Sequence, residues 1–128
     1  MLLNKIHHIA IICSDYQKSK TFYTKVLGFQ IINEIYREKR QSYKLDLSLN
    51  GTYCIELFSF PNPPKRVSKP EARGLRHLAF EVNDIEKAIQ EINKKGVITE
   101  ELRIDEITNK RFTFFEDPDG LPLELYEK

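Results

Sequence analysis

Residues 5–27, KIHHIAIICSDYQKSKTFYTKVL, decide the fold, because their pattern returns at residues 75–95, LRHLAFEVNDIEKAIQEINKK. In each copy a histidine stands in an apolar run, an alanine follows two residues on, and an acidic residue that opens a helix follows seven on. These are His8, Ala10 and Asp15, then His77, Ala79 and Asp84, with both outer pairs offset by 69 (77 − 8 and 84 − 15). Further along, a turn and a glutamate in an apolar run recur: Asn50-Gly51 before Ile55-Glu56-Leu57, and Asp119-Gly120 before Leu123-Glu124-Leu125. Here the glutamates are offset by 68 (124 − 56). A twofold repeat this long marks a duplicated module rather than a solenoid of many short units.

Working outward, residues 6–13 read as a strand apolar on both faces, with His8 sharing a face with Ile6, Ala10 and Ile12. Ser14 with Gln17 fits a capping box, and Ser19, Phe22, Tyr23, Val26 and Leu27 repeat at helical spacing until Gly28. Residues 29–38 and 43–49 alternate as strands. Asn50-Gly51 is a hairpin signal, and residues 53–60 return with Cys54, Glu56, Phe58 and Phe60 on one face. The order is βαβββ, spanning about residues 4–60. A proline-rich linker at 61–74 follows. The second βαβββ module, about 75–127, runs through a strand at 75–82 and a helix with the stripe Ile85, Ala88, Ile89 and Ile92, for which Asn83 and Glu86 fit a capping box. One strand lies somewhere in 97–107, another at 111–115, and a last one at 121–126. The expectation is an α+β chain, a single domain over 1–128 built of two βαβββ modules that enclose a cleft.

Bulk properties narrow the partner class. A chain of 128 residues is long enough to bury a core without disulfides. Twenty basic against nineteen acidic residues give a net charge of +1 with no basic helix face, which points away from nucleic acid and membrane and towards a small molecule. Two cysteines, Cys13 and Cys54, and no apolar leader fit a reducing, cytoplasmic setting without a bridge.

A buried imidazole or carboxylate needs a partner. Each module puts one histidine in its first strand and one glutamate in its last. If those strands are neighbours, His8 stands by Glu56 and His77 by Glu124. Two imidazoles and two carboxylates form a nitrogen and oxygen donor set suited to one divalent transition metal, with positions left for water or substrate. Any one of the four, alone, reads as an ordinary core or surface residue; their recurrence in a chain with three histidines favours the metal set. His7 has no counterpart, since Arg76 stands in its place, and alternation turns it away from the face of His8. The expected cleft-facing residues are Lys44, Asp46, Phe58, Phe60, Arg111, Thr113 and Phe115.

The two HxAxxxxD openings, the duplicated βαβββ order and the closing EDPDGLPLELYE resemble the vicinal oxygen chelate superfamily, the group of glyoxalase I, bleomycin resistance proteins and extradiol dioxygenases. Within it, the segments ELFSFPNPPKR and RFTFFEDPDGLPLELYE are similar to a short bacterial YaeR-like, glyoxalase-like branch. The resemblance implies that His8, Glu56, His77 and Glu124 are metal ligands, as in glyoxalase I (lactoylglutathione lyase). It also implies a metal-dependent lyase or isomerase acting on two vicinal oxygens through an enediolate, with Glu124 moving the proton and Glu56 as its partner. Nickel or cobalt is implied ahead of zinc, with iron or manganese also compatible, and a homodimer is implied. Where short bacterial glyoxalases I carry Arg and Asn to hold glutathione, this chain has Ile12 and Phe60, which argues against glutathione as co-substrate. The alternatives within the superfamily are a metal-free, bleomycin-resistance-type binding protein, or an epimerase, fosfomycin-type transferase or extradiol dioxygenase.

Overall fold

The computed structural model describes residues 1–128 and divides into two compact units, Met1–Pro64 and Lys65–Lys128. Each unit is βαβββ, with a four-stranded mixed sheet.

In the first unit, β1 (Ile9–Cys13) leads into α1 (Tyr16–Thr21), which continues as a π-helical segment, Phe22–Val26. Three antiparallel strands follow: β2 (Gln30–Arg37), β3 (Ser42–Leu49) and β4 (Thr52–Ser59). The sheet order is β1-β4-β3-β2, and β1 runs parallel to β4. Asn50 and Gly51 both have positive φ, +51° and +79°, the backbone that a two-residue hairpin needs to match strand twist. One sheet face is the core. Leu45, Leu47, Ile55 and Leu57 are fully buried there, each contributing about 1.5–3 kcal/mol by removal from water. On the same side, Tyr16 of α1 stacks on Tyr43 of β3 with ring centres 4.2 Å apart.

The second unit repeats the plan with β5 (Leu78–Val82), α2 (Ile85–Lys94), β6 (Arg103–Ile104), β7 (Arg111–Glu116) and β8 (Pro122–Glu127), in the order β5-β8-β7-β6. Ile85 and Ile92 of α2 and Leu123 and Leu125 of β8 are buried. The turn into β8 closes on Asp117, whose Oδ1 accepts from the amides of Asp119 and Leu121 at 2.8 and 3.0 Å. No helix is long and apolar enough to cross a membrane.

Several local expectations are corrected. The helix caps are Asp15 and Asp84, one residue after Ser14 and Asn83; each carboxylate accepts from the amide three residues on, Lys18 or Lys87. Gln17 and Glu86 therefore sit one place too early to close a capping box. The first strand of each unit begins after its histidine, at Ile9 and Leu78, so strand alternation does not govern where the neighbouring His7 points. The strand expected within 97–107 is only two residues long. Asp105 ends it, taking the amide of Ile107 at 2.9 Å in a side-chain turn.

Candidate metal centre

In the first unit, the parallel register sets Ala10 beside Glu56, so the residue two places before Ala10, His8, reaches the same carboxylate. His8 Nε2 lies 3.1 Å from Glu56 Oε1. In the second unit Ala79 stands beside Glu124, and His77 Nε2 lies 3.0 Å from Glu124 Oε2. The repeat read in the sequence thus becomes one imidazole-carboxylate pair per unit. Neither unit by itself gathers three or more metal-ligating side chains.

Each histidine also has a neighbour at its other ring nitrogen. His7 Nδ1 lies 2.8 Å from His8 Nδ1, with the two rings edge to face. Arg76 Nη1 lies 3.4 Å from His77 Nδ1. A guanidinium can only donate, so Nδ1 of His77 accepts and its Nε2 carries the proton directed at Glu124. The expectation that His7 turns away from the site is corrected: its Nδ1 meets Nδ1 of His8.

The surroundings of the two glutamates differ. Glu56 Oε2 accepts from the Tyr53 hydroxyl at 2.8 Å and lies 3.3 Å from Lys44 Nζ. Lys44 also donates to Asp46 at 2.7 Å, and the Tyr53 hydroxyl lies 3.1 Å from Asp46. Burial works to raise the Glu56 carboxyl, but its bonds to Tyr53 and Lys44 outweigh that and leave it below its ordinary value. Burial first, then Glu56 and Asp46, push the Tyr53 phenol well above the usual range. The sequence reading missed Tyr53, which strict alternation puts on the opposite face. A bulge explains its place: Leu47 pairs with Ile55 and Ser48 with Tyr53, so the extra residue Cys54 flips Tyr53 onto the face of Glu56.

Around Glu124 the setting is aromatic. The antiparallel register sets Phe114 opposite Glu124 and Phe112 opposite Tyr126. The Phe114 ring meets His77 edge to face at 5.1 Å. The expected residues Arg111, Thr113 and Phe115 belong to the other face, a correction that follows from this register. Thr113 is buried and donates to the carbonyl of Glu100, Arg111 pairs with Glu127 at 2.8 Å and reaches Glu86 of α2, and Phe115 is packed in the core while also edging the cavity of this unit. Lys44, Asp46 and Phe58 do lie on the Glu56 face, and Phe60, just beyond β4, stacks on Phe58 at 5.8 Å. Neither Cys13 nor Cys54 forms a disulfide.

The donor chemistry fits a divalent metal. The imidazole nitrogen and carboxylate oxygens of each pair are donor types that divalent transition metals take.

Comparison with known proteins identifies the family. The sequence profile of the Glyoxalase/Bleomycin resistance protein/Dioxygenase superfamily matches residues 5–125. The chain is 69% identical to YwkD of Bacillus subtilis (strain 168) over 128 residues, all of both chains. It is 60% identical to YaeR of Escherichia coli (strain K12) over 126 residues, 98% of each. A crystal structure of a glyoxalase family protein from Enterococcus faecalis superposes with a TM-score of 0.92 at 50% identity, covering 99% of this chain and 100% of that one. The chain belongs to the Glyoxalase/Bleomycin resistance protein/Dioxygenase superfamily.

Proposed function

We propose that this protein is a divalent-metal-dependent lyase or isomerase of the glyoxalase I type, acting on a small molecule with two vicinal oxygens. His8, Glu56, His77 and Glu124 would hold the metal, nickel or cobalt ahead of zinc. The observation that carries the reading is the duplicated imidazole-carboxylate pair, at 3.1 and 3.0 Å. A divalent metal at such donors supplies Lewis acidity, which stabilises negative charge developing on neighbouring substrate oxygens.

The chain's own residues divide the remaining work. Lys44 and Tyr53 hold Glu56 in place as a carboxylate. Glu124 meets His77 but has no lysine or tyrosine on it, so it is the carboxylate freer to take a proton from a substrate carbon and return it. Phe112 and Phe114 line the cavity beside it.

Two half-sets of donors suit a homodimer, whose sites each combine one pair from either subunit. Mixing His8→Ala/Glu56→Ala protein with His77→Ala/Glu124→Ala protein under subunit exchange then restores metal binding in heterodimers; no recovery contradicts shared sites.

The test of the activity is proton exchange. The metal-loaded protein, incubated in deuterium oxide with a panel of α-hydroxyketones and hemithioacetals, is followed by NMR. The reading expects deuterium at the carbon beside the carbonyl of at least one compound, abolished by chelator and by Glu124→Gln. A protein that retains no metal and exchanges nothing, yet binds panel members, is a binding protein instead.

A further inference from the structure

A cavity of about 720 Å³ lies wholly within the second unit, and His77, Glu124, Phe112, Phe114 and Arg103 all border it. Its volume is in the range that takes a small organic ligand. Arg103 reaches across from the edge strand β6, and its guanidinium carbon sits over the Phe112 ring at 5.0 Å and the Phe114 ring at 5.6 Å. Phe114 in turn touches His77 at 5.1 Å. One continuous surface therefore runs from a guanidinium, over two aromatic rings, to the imidazole-carboxylate pair.

Lys69 borders the cavity as an exposed, flexible point charge, and its three arginines, which alone offer a planar fork, differ in how far they are engaged. Arg66 donates to the carbonyls of Leu75 and Arg76 and to Ser68. Arg76 is paired with Glu71 at 3.0 Å. Arg103 has a single loose carboxylate, Glu100 at 3.5 Å, with both side chains about half exposed or more. Of the acids, Glu71 is taken by Arg76 and Asp105 by the Tyr126 hydroxyl, while Glu106 and Glu116 are exposed. The first unit carries the same device. Arg37 of β2 lies over Phe58 at 5.0 Å and Phe60 at 5.9 Å, and its buried Nε has no hydrogen-bond partner.

A guanidinium laid over aromatic rings keeps its N–H donors at its edge, in a planar fork that matches the two oxygens of a carboxylate. The rings beneath hold the guanidinium in place by a cation–π contact. We propose that the substrate carries a carboxylate at the end remote from its vicinal oxygens, and that Arg103 is the residue that reads the carboxylate. This rests on the proposed function for the vicinal-oxygen end, whereas the carboxylate end is independent of any metal.

Caffeate is a suitable probe, with two adjacent phenolic oxygens at one end, a planar body and a carboxylate at the other; its methyl ester lacks only the charge. Dissociation constants for both are measured by calorimetry on metal-free wild-type, Arg103→Gln and Arg103→Lys proteins, with circular dichroism to confirm folding. The expected result is caffeate bound about tenfold or more tighter than the ester, the preference lost in Arg103→Gln and partly kept in Arg103→Lys. Equal binding of acid and ester by the wild type, no saturable caffeate binding, or a preference that survives Arg103→Gln overturns the proposal. Because the protein is metal-free throughout, these results are separate from metal occupancy, which is measured on its own and decides the proposed function.

Discussion

The hydroxyl of Tyr53 donates to Glu56 Oε2 at 2.8 Å from a strand position that simple alternation assigns to the opposite face. The bulge at Cys54 makes this bond, and the bond orients the carboxylate toward His8. Tyr53→Phe keeps the ring and its packing against His8 but removes the donor. Metal affinity, measured by competitive titration against a chelator, is expected to fall about tenfold to a hundredfold, as for loss of an outer-shell partner, with the thermal midpoint little changed. An affinity equal to wild type would mean that Tyr53 plays no part in holding the glutamate.

His7 behaves as the support of His8 rather than as a bystander. His7→Ala frees Nδ1 of His8 and lets the ring turn, so a loss of about tenfold in metal affinity is expected. If His7→Ala binds metal as wild type does, the 2.8 Å contact between the two rings is not what orients His8.

Arg111 lies away from the site, and its role is a pH-dependent clasp between β7 and β8. Glu127 takes two guanidinium nitrogens and the backbone amide of Arg111, which bring its carboxyl from 4.5 down to about 2. A depressed carboxylate adds stability that is fully present above the unfolded value and is lost as pH falls through the folded one. The window is therefore about pH 4.5 to 2. Denaturant titrations across it are expected to show a shallower acid loss in Glu127→Gln than in wild type; identical slopes would remove the clasp from the account.

The pairing of His8 with Glu56 and of His77 with Glu124 was legible in the sequence because the repeat fixed both spacings, and parallel pairing of the first and last strands does the rest. The βαβββ order was legible for the same reason, with Asn50-Gly51 marking its hairpin. Side-chain direction was harder to read. Thr113 and Phe115 look equivalent to Lys44 and Asp46 only if β7 is counted in the wrong phase; the 68-residue offset of the glutamates carries Asp46 onto Phe114 and Lys44 onto Phe112, which is what the register shows. Tyr53 was hidden by a bulge, since an inserted residue leaves no mark in an alternating pattern. His7 was misread because the strand begins after it, where neighbouring side chains no longer point to opposite sides.

Ile12 lies exposed on β1, two residues beyond Ala10 and so on the face of Glu56, and Phe60 stacks on Phe58 beneath Arg40. Neither offers the polar contact that a glutathione conjugate would need there. The metal-loaded protein is expected to turn over the hemithioacetal of methylglyoxal and glutathione with kcat/KM below about 10⁴ M⁻¹s⁻¹, the lower end for efficient enzymes. Steady-state kinetics giving a higher value would make this an ordinary glyoxalase I.

The central claim, that His8, Glu56, His77 and Glu124 form one metal set, is tested most directly by metal stoichiometry in His77→Ala. Wild-type and variant proteins are stripped with chelator, reloaded with nickel, dialysed and analysed for metal per chain. Wild type is expected to retain nickel stoichiometrically, while His77→Ala, still folded because the core rests on residues such as Leu57 and Leu123, retains almost none. Full nickel occupancy in folded His77→Ala contradicts the assignment.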